Sequence, residues 1–215
     1  MARFWVLEGI DGTGKSTQVE RLAAALRARG RDVLQVREPG STELGERLRA
    51  LLLDPGRGAW DPKAEALLFF AARVELLREL VAPALAAGRD VLCERFTPST
   101  LAYQGTDEDR VRFVLALEDL CVPPELRPHR VVLLDLPPEE ALRRARRVGE
   151  AAGLEADAME RRGLEFLTRV REGYLRYARE RPERTVVLDV RGLDEDQVAA
   201  RLQELLLGAA AEAEA

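Results

Sequence analysis

The stretch "FWVLEGIDGTGKSTQVERL", residues 4–22, changes character twice: an apolar run ends in Glu8, three glycines follow at Gly9, Gly12 and Gly14, and Val19 and Leu22 then recur at helical spacing. Strand, turn and helix succeed one another. In that context Gly9-Ile10-Asp11-Gly12-Thr13-Gly14-Lys15-Ser16 satisfies G-x-x-x-x-G-K-[ST], a loop whose glycines let the backbone curl so that several N–H groups converge on a phosphate. The helix dipole adds partial positive charge at the same point. Lys15 is placed to bridge the β- and γ-phosphates of a nucleoside triphosphate, and the Ser16 hydroxyl to ligate Mg²⁺. The dinucleotide fingerprint fails, because Thr17 stands where a third glycine is required.

Outward from the turn, four further short runs read as strands: 32–37, 90–95, 130–136 and 185–190, with 3–8 as the first. All are apolar almost throughout instead of alternating, the pattern of a parallel sheet covered on both faces. Helical patterns lie between them at 17–29, 42–53, 62–87, 108–120, 138–148, 158–180 and 194–207. The alternation predicts right-handed crossovers and a three-layer α/β fold. Pro39-Gly40, Asp54-Pro55-Gly56, Pro123-Pro124 and Pro137-Pro138 punctuate it. Residues 1–208 read as one domain without internal repeats, and the Ala/Glu stretch 209–215 is expected to fray.

Composition narrows the partners. A net charge of -5 excludes a general nucleic-acid or membrane-surface binder, which needs a broad basic face to displace counterions. Any phosphate site is therefore a local cationic pocket. Cys93 and Cys121 are the only cysteines, in no metal-like spacing, and no signal peptide or membrane span is recognised, so a reduced, cytoplasmic setting is expected. Lys15 and Lys63 are the only lysines among many arginines, so a lysine in the glycine turn is a choice of chemistry. Lone His129 lies among prolines before a strand and reads as surface.

Such a loop serves GTPases, motors, regulators and small-molecule kinases, so the acceptor must be read elsewhere. The chain has no asparagine with which to write the N-K-x-D guanine reader of signalling GTPases. Arg37 and Arg95 end the second and third predicted strands, at the sheet edge where open α/β folds bind ligands. Two guanidinium forks there can hold an acceptor phosphate in line with a donor. Arg73 lies one helical turn after Phe69, so both can face one pocket; Phe70 is expected in the core.

Four segments together, "EGIDGTGKST" (8–17), "REPGST" (37–42), "FFAAR" (69–73) and "ERFTPSTLAYQG" (94–105), resemble the thymidylate kinase family in order and spacing, over residues 4 to about 190. The resemblance implies a P-loop kinase fold: α/β, three layers, a five-stranded parallel sheet flanked by helices, and a short lid at about 143–162. It implies ATP-dependent phosphorylation of dTMP to dTDP with Mg²⁺, by a homodimer acting on small molecules alone. ATP would lie on Gly9, Ile10, Asp11, Gly12, Thr13, Gly14, Lys15, Ser16 and Thr17, closed over by lid residues Arg144, Arg146 and Arg147. For dTMP, Arg37 and Arg95 would grip the phosphate, Phe69 stack on the base and Arg73 reach O4, with Ser99 beside them. Thr100 and Gln104 match positions that bond the base's polar edge, and Tyr103 the residue that crowds the sugar's 2′ position. Lys15, Arg95, Asp11 and Glu94 carry the catalytic roles, and Ser16, Asp11 and Glu94 are the oxygens offered to the metal.

Two departures stand out. Glu94-Arg95 replaces the family's usual Asp-Arg, and Asp157-Ala158-Met159-Glu160 replaces Asp-Arg-x-Glu in the lid; Arg146, Arg147, Arg161 and Arg162 are the candidate substitutes for the missing arginine. A bland reading competes for the lid helix, because Glu139 and Glu140 stand four residues before Arg143 and Arg144, as in a solvated ion-paired helix. Asp135 reads as structural. Another monophosphate or deoxynucleoside kinase, or a P-loop regulator without turnover, remains open on the sequence alone.

Overall fold

The computed structural model describes residues 2–152 and 162–208. Five strands, β1 (Phe4–Glu8), β2 (Val33–Arg37), β3 (Asp90–Glu94), β4 (Arg130–Asp135) and β5 (Thr185–Asp189), form one sheet in the order β2-β3-β1-β4-β5. Every pairing is parallel, with Val6 opposite Cys93 on one side and Val131 on the other. β1 explains why these strands are apolar throughout. Successive side chains point to opposite faces; Trp5 and Leu7 enter one hydrophobic cluster, Phe4 and Val6 the other, and all four are buried.

The first cluster is closed by α1 (Lys15–Ala28), α8 (Gly163–Glu180) and α9 (Glu195–Gln203), through residues such as Leu22, Val170 and Val198. The second is closed from the other side by α3 (Pro62–Leu76), α5 (Thr97–Gln104) and α6 (Glu108–Cys121), through Phe70, Leu101 and Val114. α2 (Glu43–Leu53) packs on α3, and α7 (Pro138–Ala152) follows β4. α3 does not run unbroken to residue 87: a π-helical turn at Leu77–Val81 leads into α4 (Ala82–Ala86). Pro83 removes one backbone donor inside that segment. The predicted helix start at 158–161 and the stretch 209–215 lie outside the described residues.

Helix starts divide into two kinds. Thr42, Asp61, Asp107 and Asp194 each accept a hydrogen bond from a first-turn backbone N–H of α2, α3, α6 and α9, satisfying donors that would otherwise be left bare. α1 starts at Gly14, which offers no side chain. Its first N–H groups stay free for a guest at the carboxyl end of the central strand. His129 is exposed, as read, and its Nδ1 accepts from the Phe4 backbone N–H at 3.0 Å, closing the sheet's other end.

Candidate active site

The glycine turn is held in shape by its own side chains. Thr13 Oγ1 donates to the Ile10 carbonyl at 2.9 Å, and Lys15 Nζ donates to the same oxygen at 3.0 Å. Gly12 has φ +85, and a Cβ there would fall 2.0 Å from the Ala141 carbonyl oxygen, so only glycine lets the loop lie against α7. Ser16 is exposed at the first turn of α1. Lys15 is buried, 3.8 Å from Asp11 Oδ1; burial, with the Arg95 charge nearby, pulls its ammonium down to about 8. An anionic polyphosphate reverses that pull. Nucleotide binding at pH 8 is therefore expected to take up about half a proton at this residue, read from calorimetric heats in buffers of different ionisation enthalpy, and to lose the uptake in Lys15→Met. Equal uptake in both proteins would remove Lys15 from the phosphate site.

Arg95 is the hub of the site. Its φ is +68, a left-handed conformation that a non-glycine residue adopts rarely and mostly where surrounding contacts impose it. Nη1 donates to the Gly9 carbonyl at 3.2 Å, Ser99 Oγ at 3.1 Å and Tyr174 Oη at 3.0 Å, while Nη2 donates to Asp11 Oδ1. Tyr103 Oη donates to the other Asp11 oxygen at 3.1 Å. Burial raises the Asp11 carboxyl, but Arg95 and Lys15 outweigh it and leave the group below its ordinary range. Beneath them lies Glu8, fully buried on β1, accepting from the Phe96 N–H at 2.7 Å, Ser99 Oγ at 2.7 Å and Tyr174 Oη at 3.1 Å. Glu8 thus caps α5 across 88 residues of sequence. Burial raises its carboxyl, against the pull of Arg95.

A cavity of about 260 Å³ opens beside this hub. Arg37, Phe69, Arg73, Arg95, Ser99, Thr100, Tyr103 and Gln104 all line it, and Asp11, Ser16 and Glu94 meet it at the phosphate-loop end. Glu38, Arg49 and Phe96, which the sequence reading passed over, line it too. Arg37 is half-exposed and donates from Nη2 to both Glu46 oxygens at 3.0 Å. Arg73 is fully buried, stacked between the rings of Phe70 and Phe96 at 4.4 and 4.8 Å. It donates to Glu38 Oε2 at 2.6 and 2.8 Å and to Thr100 Oγ1 at 3.1 Å. Burial lifts Glu38 to about 7 in spite of that partner.

Glu38 Oε1, Arg73 Nη1 and Gln104 Oε1, buried polar atoms of this lining, have no protein partner; the last two are a donor and an acceptor. A buried unpaired polar atom costs about 1–3 kcal/mol, so a ligand that pairs both is favoured. The matching ligand edge presents an acceptor beside a donor. A 4-oxo pyrimidine does so with O4 and N3–H; a 4-amino pyrimidine presents the reverse pattern.

The remaining predicted residues fall as follows. Arg144 is ion-paired with Glu140 at 2.5 Å, and Arg146 and Arg147 are exposed on α7. Asp157, Ala158, Met159, Glu160 and Arg161 lie outside the described residues. Arg162 turns to Glu65 at 2.7 Å. Asp135 accepts two bonds from Arg171 at 2.7 Å, a structural clamp between β4 and α8. Among the described residues no cluster of three His, Cys, Asp or Glu side chains could hold a metal alone. Glu94 nonetheless presents a carboxylate with no hydrogen-bond partner among them. Ser16 and Glu94 are hard oxygen donors of the kind that hold Mg²⁺ together with substrate phosphates and water.

A sequence model of the family described as thymidylate kinase matches residues 7–200. The thymidylate kinase of Syntrophotalea carbinolica is 44% identical over 198 residues, covering 91% of each chain. That of Dinoroseobacter shibae is 46% identical over 185 residues, covering 85% of this chain and 86% of the relative. Among solved structures, thymidylate kinase from Ehrlichia chaffeensis superposes with a TM-score of 0.76 at 28% identity, over 95% of this chain and 98% of that one.

Proposed function

The chain belongs to the thymidylate kinase family, and we propose on that premise that it transfers the γ-phosphoryl group of ATP to the phosphate of dTMP, giving dTDP and ADP. The observation that carries this reading is the cavity wall on which Arg73 Nη1 and Gln104 Oε1 stand unpaired, at the end of a pocket that opens onto the phosphate loop. ATP lies with its β-phosphate on the loop of Gly9–Thr17, and dTMP lies with its base between Phe69 and the Arg73–Gln104 wall. Arg95 and Arg37 hold the dTMP phosphate facing the γ-phosphate; Arg37 exchanges Glu46 for that phosphate.

Positioning and charge neutralisation carry the catalysis, because phosphoryl transfer leaves little covalent chemistry to the protein. Lys15 follows the charge that shifts toward the β–γ bridge. Asp11, bound to Arg95 and Tyr103, sets the angle of the Arg95 fork. Ser16 and Glu94 would hold Mg²⁺, with Asp11 beside them; bound there, the metal neutralises charge on the β- and γ-oxygens. Arg144, Arg146 and Arg147 close over the ATP phosphates, Arg144 releasing Glu140 to do so.

Two further features belong to this reading. No described helix is long and apolar enough to cross a membrane, and Cys93 and Cys121 are both free thiols, which fits a reducing, cytoplasmic setting. Leu44 and Leu51 on α2 and Leu67 and Val74 on α3 are exposed, each pair seven residues apart and so on one helix face. A homodimer covers them. Sedimentation at twice the chain mass of 23.9 kDa is expected, and a monomer at micromolar concentration would overturn it.

The function is tested by ADP release from ATP·Mg²⁺ with dTMP, dCMP, AMP or thymidine as acceptor. dTMP is expected to exceed the others by at least about tenfold in kcat/KM, since a site that hydrogen-bonds a substrate edge rejects analogues lacking it. No preference for dTMP would refute the reading. Arg73→Ala is expected to raise KM for dTMP about 10- to 100-fold with KM for ATP unchanged. Glu38, already lifted to about 7, can go neutral when its partner is removed, which limits the damage to folding.

A further inference from the structure

Glu65 belongs to none of the motifs, yet it is fully buried at the back of the base pocket. It lies on the first turn of α3, and its carboxylate is shared three ways. Oε1 accepts from Arg57 Nη2 at 2.8 Å and from Arg162 Nη2 at 2.7 Å; Oε2 accepts from Gln104 Nε2 at 2.9 Å. Both guanidinium groups are themselves held, Arg57 over the Trp60 ring at 4.5 Å and Arg162 over the Phe166 ring at 4.8 Å. The carboxylate is therefore fixed from two sides, and the oxygen it turns to Gln104 can only accept.

The consequence concerns the two ends of an amide. A glutamine is nearly symmetric in shape, and which end faces a ligand is decided by what holds the other end. Gln104 is almost completely buried, lines the cavity, and has its Nε2 taken by Glu65 while Oε1 stays unpaired. Reversing the amide would set two acceptors against each other, Gln104 Oε1 against Glu65 Oε2, inside the protein. That opposition costs more than a lost hydrogen bond.

We propose that Glu65 is a positioning residue for substrate selection: it locks the Gln104 amide with its oxygen toward the pocket, so that the site accepts pyrimidines carrying N3–H and rejects those whose N3 is an acceptor. The proposal rests on the pocket being the dTMP site. Glu65 never touches the base; it acts through Gln104. Arg57 and Arg162 act one step further back by holding Glu65. Arg162 is also the first described residue after 153–161, so the holding contact comes from the segment that enters α8.

Glu65→Gln keeps the size of the side chain but can donate, which permits the Gln104 amide to reverse. The measurement is kcat/KM for dTMP and for dCMP, with KM for ATP and the thermal midpoint alongside. The dTMP:dCMP ratio is expected to fall about tenfold or more, with KM for ATP unchanged. On a Gln104→Ala background the same Glu65 substitution is expected to leave the ratio where Gln104→Ala alone puts it, because the only route of action is gone. Should Glu65→Gln not fold, Glu65→Asp serves the same purpose, being too short to meet all three partners.

A Glu65 variant that loses stability and activity but keeps the wild-type ratio would overturn the proposal, since a purely structural residue behaves that way. So would a ratio that still changes on the Gln104→Ala background. A wild-type enzyme with no preference for dTMP over dCMP would instead overturn the functional reading beneath it, and the proposal with it.

Discussion

Lys15→Ala is expected to lower kcat by about 10²–10³-fold while leaving the thermal midpoint nearly unchanged. The asymmetry follows from what the side chain touches. Within the protein Lys15 donates to one loop carbonyl and stands 3.8 Å from Asp11, contacts that Thr13 and Arg95 duplicate. Its removal also relieves a buried cation already pulled down to about 8. Against the nucleotide nothing duplicates it at the β–γ bridge, where charge builds up only in the transition state, so the loss falls on kcat more than on KM. Steady-state ADP release at saturating ATP and dTMP checks this. Turnover within threefold of wild type would take Lys15 out of the mechanism.

Arg95→Ala is expected to be as damaging to activity and far more damaging to the fold. One guanidinium group serves the Gly9 carbonyl, Ser99, Tyr174 and Asp11 at once. Its loss strands the Asp11 carboxylate, weakens the surroundings of Glu8, and leaves an alanine at φ +68. Removing one partner of this partly buried charge pair is expected to cost up to about 3 kcal/mol, and the contacts that hold residue 95 in its left-handed conformation, strained for arginine and alanine alike, go with it. For dTMP, kcat/KM is expected to fall about 10²–10³-fold. Arg95→Lys restores the charge but not the two-pronged grip, so it is expected to recover stability more than activity. Equal recovery of both would mean that Arg95 contributes only its charge.

The sequence exposed those parts of the molecule whose cause is local. The five strands were legible because burial on both faces forces an unbroken apolar run, and the phosphate loop because its glycines, Lys15 and Ser16 are consecutive. Arg37, Arg73 and Arg95 could be placed at strand ends and on one helix face by counting alone. What escaped depends on partners far away in the chain. The stretch Thr97–Gln104 is not among the helical patterns of the sequence, and its helix cap is not a neighbouring side chain but Glu8 on another strand. Glu38 and Glu65 look like ordinary surface acids until Arg73, 35 residues on, and Arg162, 97 residues on, come to meet them. Tyr174 lies in the charged helix α8 and gives no local sign that its hydroxyl reaches Arg95. His129 is on the surface as read, but its partner, the Phe4 backbone 125 residues back, could not be seen for the same reason. An acid within an apolar helical face, as Glu65 is beside Ala66 and Phe69, was the one available signal of a buried charge.

The central proposition is that two nucleotides meet end to end, one on the loop amides and the other in the grip of Arg95 and Arg37. A crystal structure with dTMP and a non-hydrolysable ATP analogue tests it directly. Both arginines should contact the dTMP phosphate, with Gln104 Oε1 on N3–H, Arg73 on O4, and the phosphate in line with the analogue's γ-group. A dTMP molecule bound outside this cavity, or inside it with its phosphate turned away from Arg95, would contradict the assignment.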